Sequence, residues 1–430
     1  MPKNPQTPHI NLRTAIVGGR LKAIVNLTTA INFTCCHGFY PNMPSKLAKI
    51  KTMNRKAFLQ LMAIASSSAI LGKSIAGCSA AKTQTANTTA STMPANNSFF
   101  MPDEAEPHLC TWMAFCASAD IWGREYFAAA QDDLARIART IARYEPVKML
   151  VREKDYDIAA AKCGSEVELI VSSLDDLWIR DTGCVFVVNE QGDKAAIDFN
   201  FNGWGNKQRH ARDAEVAAFV AQESGVPLFN TDMVCEGGGI EVDGRGTAII
   251  TESCVINSNR NPGWSKSDCE AELKALLGLR KIIWLPGIKD RDITDGHTDF
   301  YARFTGPGVV VAGYDPNPES FDHAVTKTHL EILEGATDAD GNKLEVVVLE
   351  APTSIRPGYE SDDFAAGYIN FYVINGAVIA PEFGDRNADR RAKETLAELF
   401  GDRDIVQINI DEIASGGGGI HCTTQQEPLV

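Results

Sequence analysis

The 430-residue chain reads as an α/β protein assembled from a repeated unit of strand, helix and hairpin. Three observations predict this. From about residue 99 onward, short runs rich in Val and Ile alternate with segments of helical period. Asn375-Gly376, a favoured two-residue turn, separates two apolar runs as in a hairpin. No linker or shift of composition divides the body, although its length alone would allow two domains. Repetition of one small unit without a break suggests a single closed array. Propensity cannot show the closure itself.

In chain order, Leu134, Ile137 and Ile141 share one face of a helix predicted from about Tyr126 to Tyr144. Strands are expected at Val147–Val151, Val167–Val171 and Cys184–Asn189. Asp213 to Gly225 reads as a helix stopped by its glycine. Ala248–Thr251 reads as a strand, and Ser265 as the N-cap of a helix running to Leu277. Lys281–Leu285, Phe300–Phe304 and Val309–Ala312 follow as strands. A helix from about Pro318 to Leu333 precedes a strand at Glu345–Leu349. The hairpin is Tyr368–Ile374 with Ala377–Pro381. A last helix, about Ala388–Phe400, leads to the strand Ile405–Ile408.

Charge is distributed unevenly. There are 41 Lys and Arg against 56 Asp and Glu, yet no acidic residue precedes Asp103. Ten of the basic residues lie in residues 1–77, which leaves the remainder at 31 against 56, a formal charge of −25. So acidic a body argues against a nucleic-acid partner and suits a cationic one. Met53 opens a segment with the order of an export signal: charged Asn54-Arg55-Lys56, a mostly apolar or small stretch from Ala57 to Gly77, then Cys78. The ending Ile75-Ala76-Gly77-Cys78 is similar to a bacterial lipobox, and Arg55-Lys56-Ala57-Phe58-Leu59 to a twin-arginine signal with one Arg replaced. The expected organisation is an upstream extension at 1–52, a signal peptide at 53–77, a flexible tether at 78–98 carrying lipid on Cys78, and one catalytic domain at 99–430. The expected location is the bacterial cell envelope or periplasm, lipid-anchored, with a cytoplasmic protein as the alternative if the leader is not used. An acid-free organellar transit peptide is the other reading of the same leader. Self-association into a homo-oligomer is left open. Of the eleven cysteines, seven remain after setting aside Cys35, Cys36, Cys78 and Cys422. An odd number cannot pair completely, and no C-x-x-C spacing points to structural zinc.

Four segments gather polar chemistry. One is Asp175-Asp176-Leu177-Trp178-Ile179-Arg180-Asp181-Thr182-Gly183. A second is Glu236-Gly237-Gly238-Gly239. A third is Thr294-Asp295-Gly296-His297-Thr298-Asp299. The fourth is Gly416-Gly417-Gly418-Gly419-Ile420-His421-Cys422. Each has a bland alternative: a strand entry, a turn, a structural histidine, a Gly-rich terminus with an incidental thiol. His297 and Asp299, two apart at the start of an expected strand, would project to one face. Glycines let backbone approach a ligand closely, so Cys422 reads as a nucleophile. Together these residue types suit a guanidinium. Two carboxylates can each take a bidentate pair of its N–H groups. A thiolate is strong enough to attack its delocalised carbon. An adjacent cation, either the substrate or protonated His297, would lower the thiol pKa. His297 could protonate the departing nitrogen and then activate water. This chemistry needs no metal and no cofactor.

The sequence resembles the agmatine deiminase and bacterial-type peptidyl-arginine deiminase family of guanidino-modifying enzymes. The resemblance runs from about Met101 to Pro428. It rests on Met101-Pro102-Asp103-Glu104-Ala105-Glu106-Pro107-His108, Thr111-Trp112-Met113, Asp176 to Gly183, Phe201-Asn202-Gly203-Trp204-Gly205, Glu236 to Glu241, Asn259-Arg260-Asn261-Pro262, Thr294 to His297 with Asp299, Asn370-Phe371, and Gly418 to Cys422. It implies a pentein, a five-bladed α/β propeller of pseudo-symmetric ββαβ-type units around a central site. It implies hydrolysis of a guanidino to a ureido group, most simply agmatine to N-carbamoylputrescine, through a covalent thiouronium. The implied catalytic set is Cys422 as nucleophile, His297 as acid and base, and Asp181 and Asp299 as guanidinium ligands. Trp112, Trp178 and Trp204 are candidates to line the pocket, with core packing as the equal alternative. Glu236 and Asn370 are further substrate-binding candidates, and His421 and Arg180 read as supports. Cys184, Phe115-Cys116 and Ile293 depart from the family pattern; the last removes an acid near the mouth that could recognise the free amine of agmatine, and the expected export leaves peptidyl-arginine open as a substrate. A catalytically dead guanidino-binding lipoprotein, an amidino transferase and a cysteine protease are the more distant alternatives.

Overall fold

The structure, a computed structural model, describes residues 99–430 other than Glu125 and Asp362. The proposed extension, signal, tether and Cys78 lie outside the described residues. Within them, sixteen strands form five small sheets. The first sheet holds β1 (His108–Phe115), β2 (Val147–Val151) and β3 (Val167–Val171), joined along parallel edges. The second holds β4 (Val185–Val188), β5 (Lys194–Asp198) and β6 (Leu228–Asn230). The third holds β7 (Ile240–Val242), β8 (Thr247–Thr251) and β9 (Lys281–Leu285). The fourth holds β10 (Ala302–Gly306), β11 (Val309–Tyr314) and β12 (Glu345–Glu350). The fifth holds β13 (Tyr372–Ile374), β14 (Ala377–Glu382) and β15 (Asp404–Asn409). In sheets two to five the first strand is antiparallel to the second and the second is parallel to the third. The last strand, β16 (Gln425–Pro428), pairs antiparallel with β1 and gives the first sheet the same pattern. This pairing of the two ends of the body closes a five-bladed α/β propeller, the pentein expected above.

Parallel neighbours need a crossover, and helices supply it. These are α1 (Phe127–Ile141) between β1 and β2, α2 (Tyr156–Cys163) between β2 and β3, α3 (Val216–Glu223), α4 (Lys266–Leu277), α5 (Phe321–Gly335) and α6 (Arg386–Leu399). The Ser265 cap is observed as a full capping box with Asp268, and Gly278 closes α4 in the left-handed region. The apolar core divides into five clusters, one between each pair of neighbouring blades. Strand periodicity explains this: Ala248 and Ile250 of β8 face the second blade, and Ile249 between them faces the fourth. Burial on both faces is why the strands read as unbroken apolar runs.

Several expectations change. Strands β1, β5, β6, β7 and β16 and helix α2 were not anticipated from propensity, because they are short or carry polar residues such as Gln425 and Gln426. The hairpin strand begins at Tyr372, not Tyr368; Tyr368 and Ile369 form a turn instead. Phe300 belongs to a 3-10 turn, and β10 starts only at Ala302. The eight described cysteines are all free and buried, and Cys110, Cys163 and Cys269 pack within the apolar clusters as small filler.

Candidate active site

The site residues come from equivalent places in the five blades. Each lies in the turn that leads into a blade's first strand. Asp181 sits in a single helical turn, Ile179–Thr182, before β4. Glu236 caps the 3-10 turn Gly237–Gly239 before β7. His297 caps Thr298–Phe300, which contains Asp299, before β10. Asn370 precedes β13, and Cys422 is central in His421–Thr423 before β16. Pseudo-fivefold repetition therefore aims five short turns at one centre. Distant sequence segments meet there because the blades are circularly arranged.

The expected alternation of His297 and Asp299 along a strand is not what brings them together. His297 is extended, at φ −60° and ψ 146°, and the chain then turns. Both side chains nevertheless converge at Gly238. A Cβ there would lie 2.7 Å from His297 Nδ1, 2.8 Å from Asp181 Oδ1 and 3.2 Å from Asp299 Oδ2. No side chain larger than hydrogen fits between these groups. Within the glycine run, Gly418 has the same role toward Trp178, whose ring would be 2.2 Å from an added Cβ. Only Gly417 of that run has positive φ (83°), so close approach rather than backbone handedness explains most of it.

Cys422 is 7% exposed. Its thiol faces Asp299 Oδ2 at 3.5 Å and accepts from Asn370 Nδ2 at 3.3 Å. Asn370 Oδ1 also takes the Cys422 backbone N–H at 3.3 Å. Burial and the nearby Asp299 and Asp181 charges push this thiol pKa well above its ordinary value. Asp181 accepts from the Gly238 N–H at 3.0 Å and from Trp204 Nε1 at 2.9 Å. Its Oδ2 lies 3.7 Å from His297 Nδ1. Burial raises its pKa to about 6, against the opposing pull of His297. Asp299 is treated differently. Burial would raise it, but the hydrogen bond with His421 Nδ1 at 2.8 Å keeps its pKa below the usual range. Its second oxygen, Oδ1, is buried without a hydrogen-bond partner. Such an atom costs free energy unless something serves it.

Burial disfavours an imidazolium at His297, yet Asp181, then Cys254 and Glu236, outweigh it and hold its pKa well above the ordinary value. Glu236 does not line the pocket. Its carboxylate is committed to Arg260 Nε at 2.8 and 3.1 Å and to His297 Nε2 at 3.3 Å. Burial alone would raise Glu236, but Arg260 and His297 bring it to about 2. It is a fixed anion that orients His297 from behind. Trp112 is likewise corrected. It is fully buried between the first two blades and donates its indole N–H to Glu427 at 2.8 Å. Trp178 stacks on Trp122 and packs in the same apolar cluster as Cys422 and Trp204. Phe115, Cys116 and Cys184 are core residues, and Ile293 packs against that same cluster.

Three contributors were given no role from sequence. Arg260 holds Glu236 and also Asp295, at 2.7 Å. Cys254 donates its thiol to Glu236 at 3.3 Å. Glu104 takes His421 Nε2 at 2.9 Å, Arg303 at 2.7 Å and Arg180 at 3.2 Å. Arg260 and Glu104 both fall in the motifs quoted above, which was the available signal. Their partners lie far away in sequence and could not be inferred.

The arrangement is a buried thiol beside two carboxylates and an imidazolium, a set able to hold a planar cation against sulfur. It defines a guanidino-modifying pentein. Residues 100–428 match the model of the Porphyromonas-type peptidyl-arginine deiminase family, and the chain belongs to that family. It is 37% identical to the agmatine deiminase of Stutzerimonas stutzeri over 367 residues, covering 79% of this chain and 98% of that one. It is 36% identical to the agmatine deiminase of Medicago truncatula over 368 residues, covering 78% and 98%. The structure superposes on the agmatine deiminase of Enterococcus faecalis with a TM-score of 0.74 at 32% identity, covering 79% of this chain and all of that one.

Proposed function

We propose that this chain hydrolyses the guanidino group of agmatine, giving N-carbamoylputrescine and ammonia. The observation that carries the reading is the pair of buried carboxylates, Asp181 and Asp299, which no Lys or Arg side chain pairs with among the described residues, set beside Cys422. A guanidinium satisfies both, including the partnerless Asp299 Oδ1. The agmatine deiminases cited above support the substrate, and a small one fits a site whose nucleophile is 7% exposed.

The raised thiol pKa gives the substrate a part in its own activation. In the free protein burial, together with the neighbouring Asp299 and Asp181 carboxylates, holds Cys422 protonated. An arriving guanidinium offsets those charges and lowers the thiol pKa. The thiol proton passes to solvent water as the guanidinium enters, and the Cys422 thiolate attacks the central carbon. The His297 imidazolium gives a proton to one nitrogen, which leaves as ammonia, and a thiouronium remains on sulfur. Neutral His297 then takes a proton from water as that water attacks the same carbon. Collapse breaks the carbon–sulfur bond, the hydroxyl proton of the adduct passes to the departing Cys422 sulfur, and the neutral ureido product is released.

A colorimetric ureido assay on agmatine, free arginine and arginine peptides tests the reading. Turnover of agmatine well above the other two is expected. Preference for arginine peptides would make it a peptidyl-arginine deiminase, and no product from any of the three would make it a binding protein. We further propose export to the cell envelope with lipid on Cys78. Mass spectrometry of the native N-terminus checks this, and a chain beginning at Met1 or Met53 would contradict it.

A further inference from the structure

On the side of His297 turned away from Asp181, a second group of side chains converges on a single oxygen. Glu236 Oε2 accepts from Cys254 Sγ at 3.3 Å and lies 3.3 Å from His297 Nε2. The three donor atoms lie within 4.8 Å of one another, and all three residues are buried. The proposed reaction uses His297 and its support Glu236 but assigns nothing to Cys254.

We propose that Glu236, Cys254 and His297 form a binding site for a divalent transition-metal ion of the Zn²⁺ or Co²⁺ type, and that its occupation switches the enzyme off. The geometry carries this. Zinc bonds to sulfur, nitrogen and oxygen are about 2.0–2.3 Å long, so tetrahedral angles hold the donor atoms about 3.3–3.5 Å apart. The two separations at Glu236 Oε2 already have that span. One thiolate, one imidazole and one carboxylate form a ligand set of borderline softness, matched to Zn²⁺ rather than Mg²⁺ or Ca²⁺. His297 Nδ1 faces the Asp181 carboxylate, the outer partner that a metal-bound imidazole usually has.

Arg260 is the feature that opposes a cation here, since it bonds Glu236 at both oxygens. Charge balance answers it. As the metal enters, the Nε2 proton of the imidazolium and the thiol proton of Cys254 leave, so two positive charges replace two. The buried cluster keeps its net charge, with Arg260 on Oε1 and the metal on Oε2. The consequence for turnover rests on the reading above. A metal on Nε2 fixes the remaining ring proton at Nδ1, and the ring can no longer cycle between imidazolium and imidazole.

The test is titration of metal-stripped protein with Zn²⁺, and with Co²⁺ for its thiolate charge-transfer absorption. One equivalent should bind, agmatine turnover should fall along the same curve, and EDTA should restore it. Cys422→Ala should keep the cobalt band. Cys254→Ala should lose it and bind at least about 100-fold more weakly, because outer-shell partners of a metal ligand alone are worth about 10–100-fold. Circular dichroism reports whether that variant folds, and Cys254→Ser supplies the same comparison if it does not. A band lost in Cys422→Ala but kept in Cys254→Ala puts the metal on the nucleophile and overturns the proposal. So does failure of the unaltered protein to bind one equivalent, or binding that leaves turnover intact. The cobalt band needs no substrate, so a protein inactive on agmatine would still bind if only the functional reading were wrong.

Discussion

Two of the buried carboxylate clusters within the propeller are satisfied in opposite ways. In one, Glu104 and Glu241 are gripped by the chain's own guanidinium groups. Arg303 reaches Glu104 and Glu241 at 2.7 Å each and donates to the Phe371 carbonyl at 2.8 Å, and Arg180 adds a contact to Glu104 at 3.2 Å. In the other, Asp181 and Asp299 have backbone, indole and imidazole partners but no guanidinium. The first cluster ties blades together. The second has the same appetite and leaves it for a substrate. His421 joins them, with Nδ1 on Asp299 and Nε2 on Glu104. A carboxylate pair thus becomes structural or functional according to whether the chain supplies the cation.

The comparison breaks most visibly at Cys422. Cys422→Ala should cut ureido formation on the order of 10⁴–10⁶-fold, the scale found on removing a nucleophile, with an unchanged melting temperature. Undiminished turnover would remove sulfur from the chemistry. Next, Asp299→Asn should lower kcat/KM by about 10²–10³-fold, as loss of one preorganised electrostatic partner does, whereas a silent variant would deny the carboxylate pair its role. In the other cluster, Arg303→Met should strip Glu241 of its guanidinium, leave Glu104 with Arg180 and His421 alone, and cost about 3–5 kcal/mol in urea unfolding. Asp181→Asn should cost less in the absence of substrate, because the amide oxygen still accepts one of the two hydrogen bonds from Gly238 and Trp204, and equal losses in the two variants would make Asp181 as structural as Arg303.

Acid titration sharpens the same contrast. Asp181 has a folded pKa of about 6 against an ordinary 3.8. Its stabilising contribution is therefore complete below about pH 4 and lost as pH rises through 6, worth about 3 kcal/mol. Glu236, held at about 2 by Arg260 and His297, has the opposite sign: its contribution is present above about pH 4.5 and disappears as pH falls through 2. Because ionised Asp181 is the form that grips a cation, kcat/KM for agmatine should decline on the acid side of pH 6. A flat profile from pH 5 to 7 would show that Asp181 stays ionised throughout. The smallest effect separates two tryptophans. Trp204→Phe removes the donor to Asp181 and should alter KM, while Trp112→Phe should leave KM alone and cost about 1–3 kcal/mol by stranding one buried bond to Glu427.

Much of this was readable in the chain before any coordinates. Apolar runs at Val147–Val151 and Lys281–Leu285 end where the strands end, because strands largely buried on both faces leave a near-continuous apolar signature; Val167–Val171 was legible from its β-branched residues although it is partly exposed. The Ser265 cap was legible because its partner, Asp268, is three residues away. What sequence could not supply was partnership across blades. Glu236 and Asn370 were both ranked as pocket residues, yet one is tied to Arg260 and the other touches the thiol. Trp112 and Trp204 looked alike until their indole partners, Glu427 and Asp181, were located. β16 was missed because Gln425 and Gln426 look like surface residues, although closing the ring buries both.

Sulfur must bond to a carbon that two carboxylates hold in place. Acid quenching during agmatine turnover, followed by peptide mass mapping, tests this directly. The predicted result is a covalent adduct, with the mass of agmatine less ammonia, on the peptide containing Cys422 and on no other. Product formation at full rate with Cys422 unmodified throughout, or an adduct on a different cysteine, would contradict it.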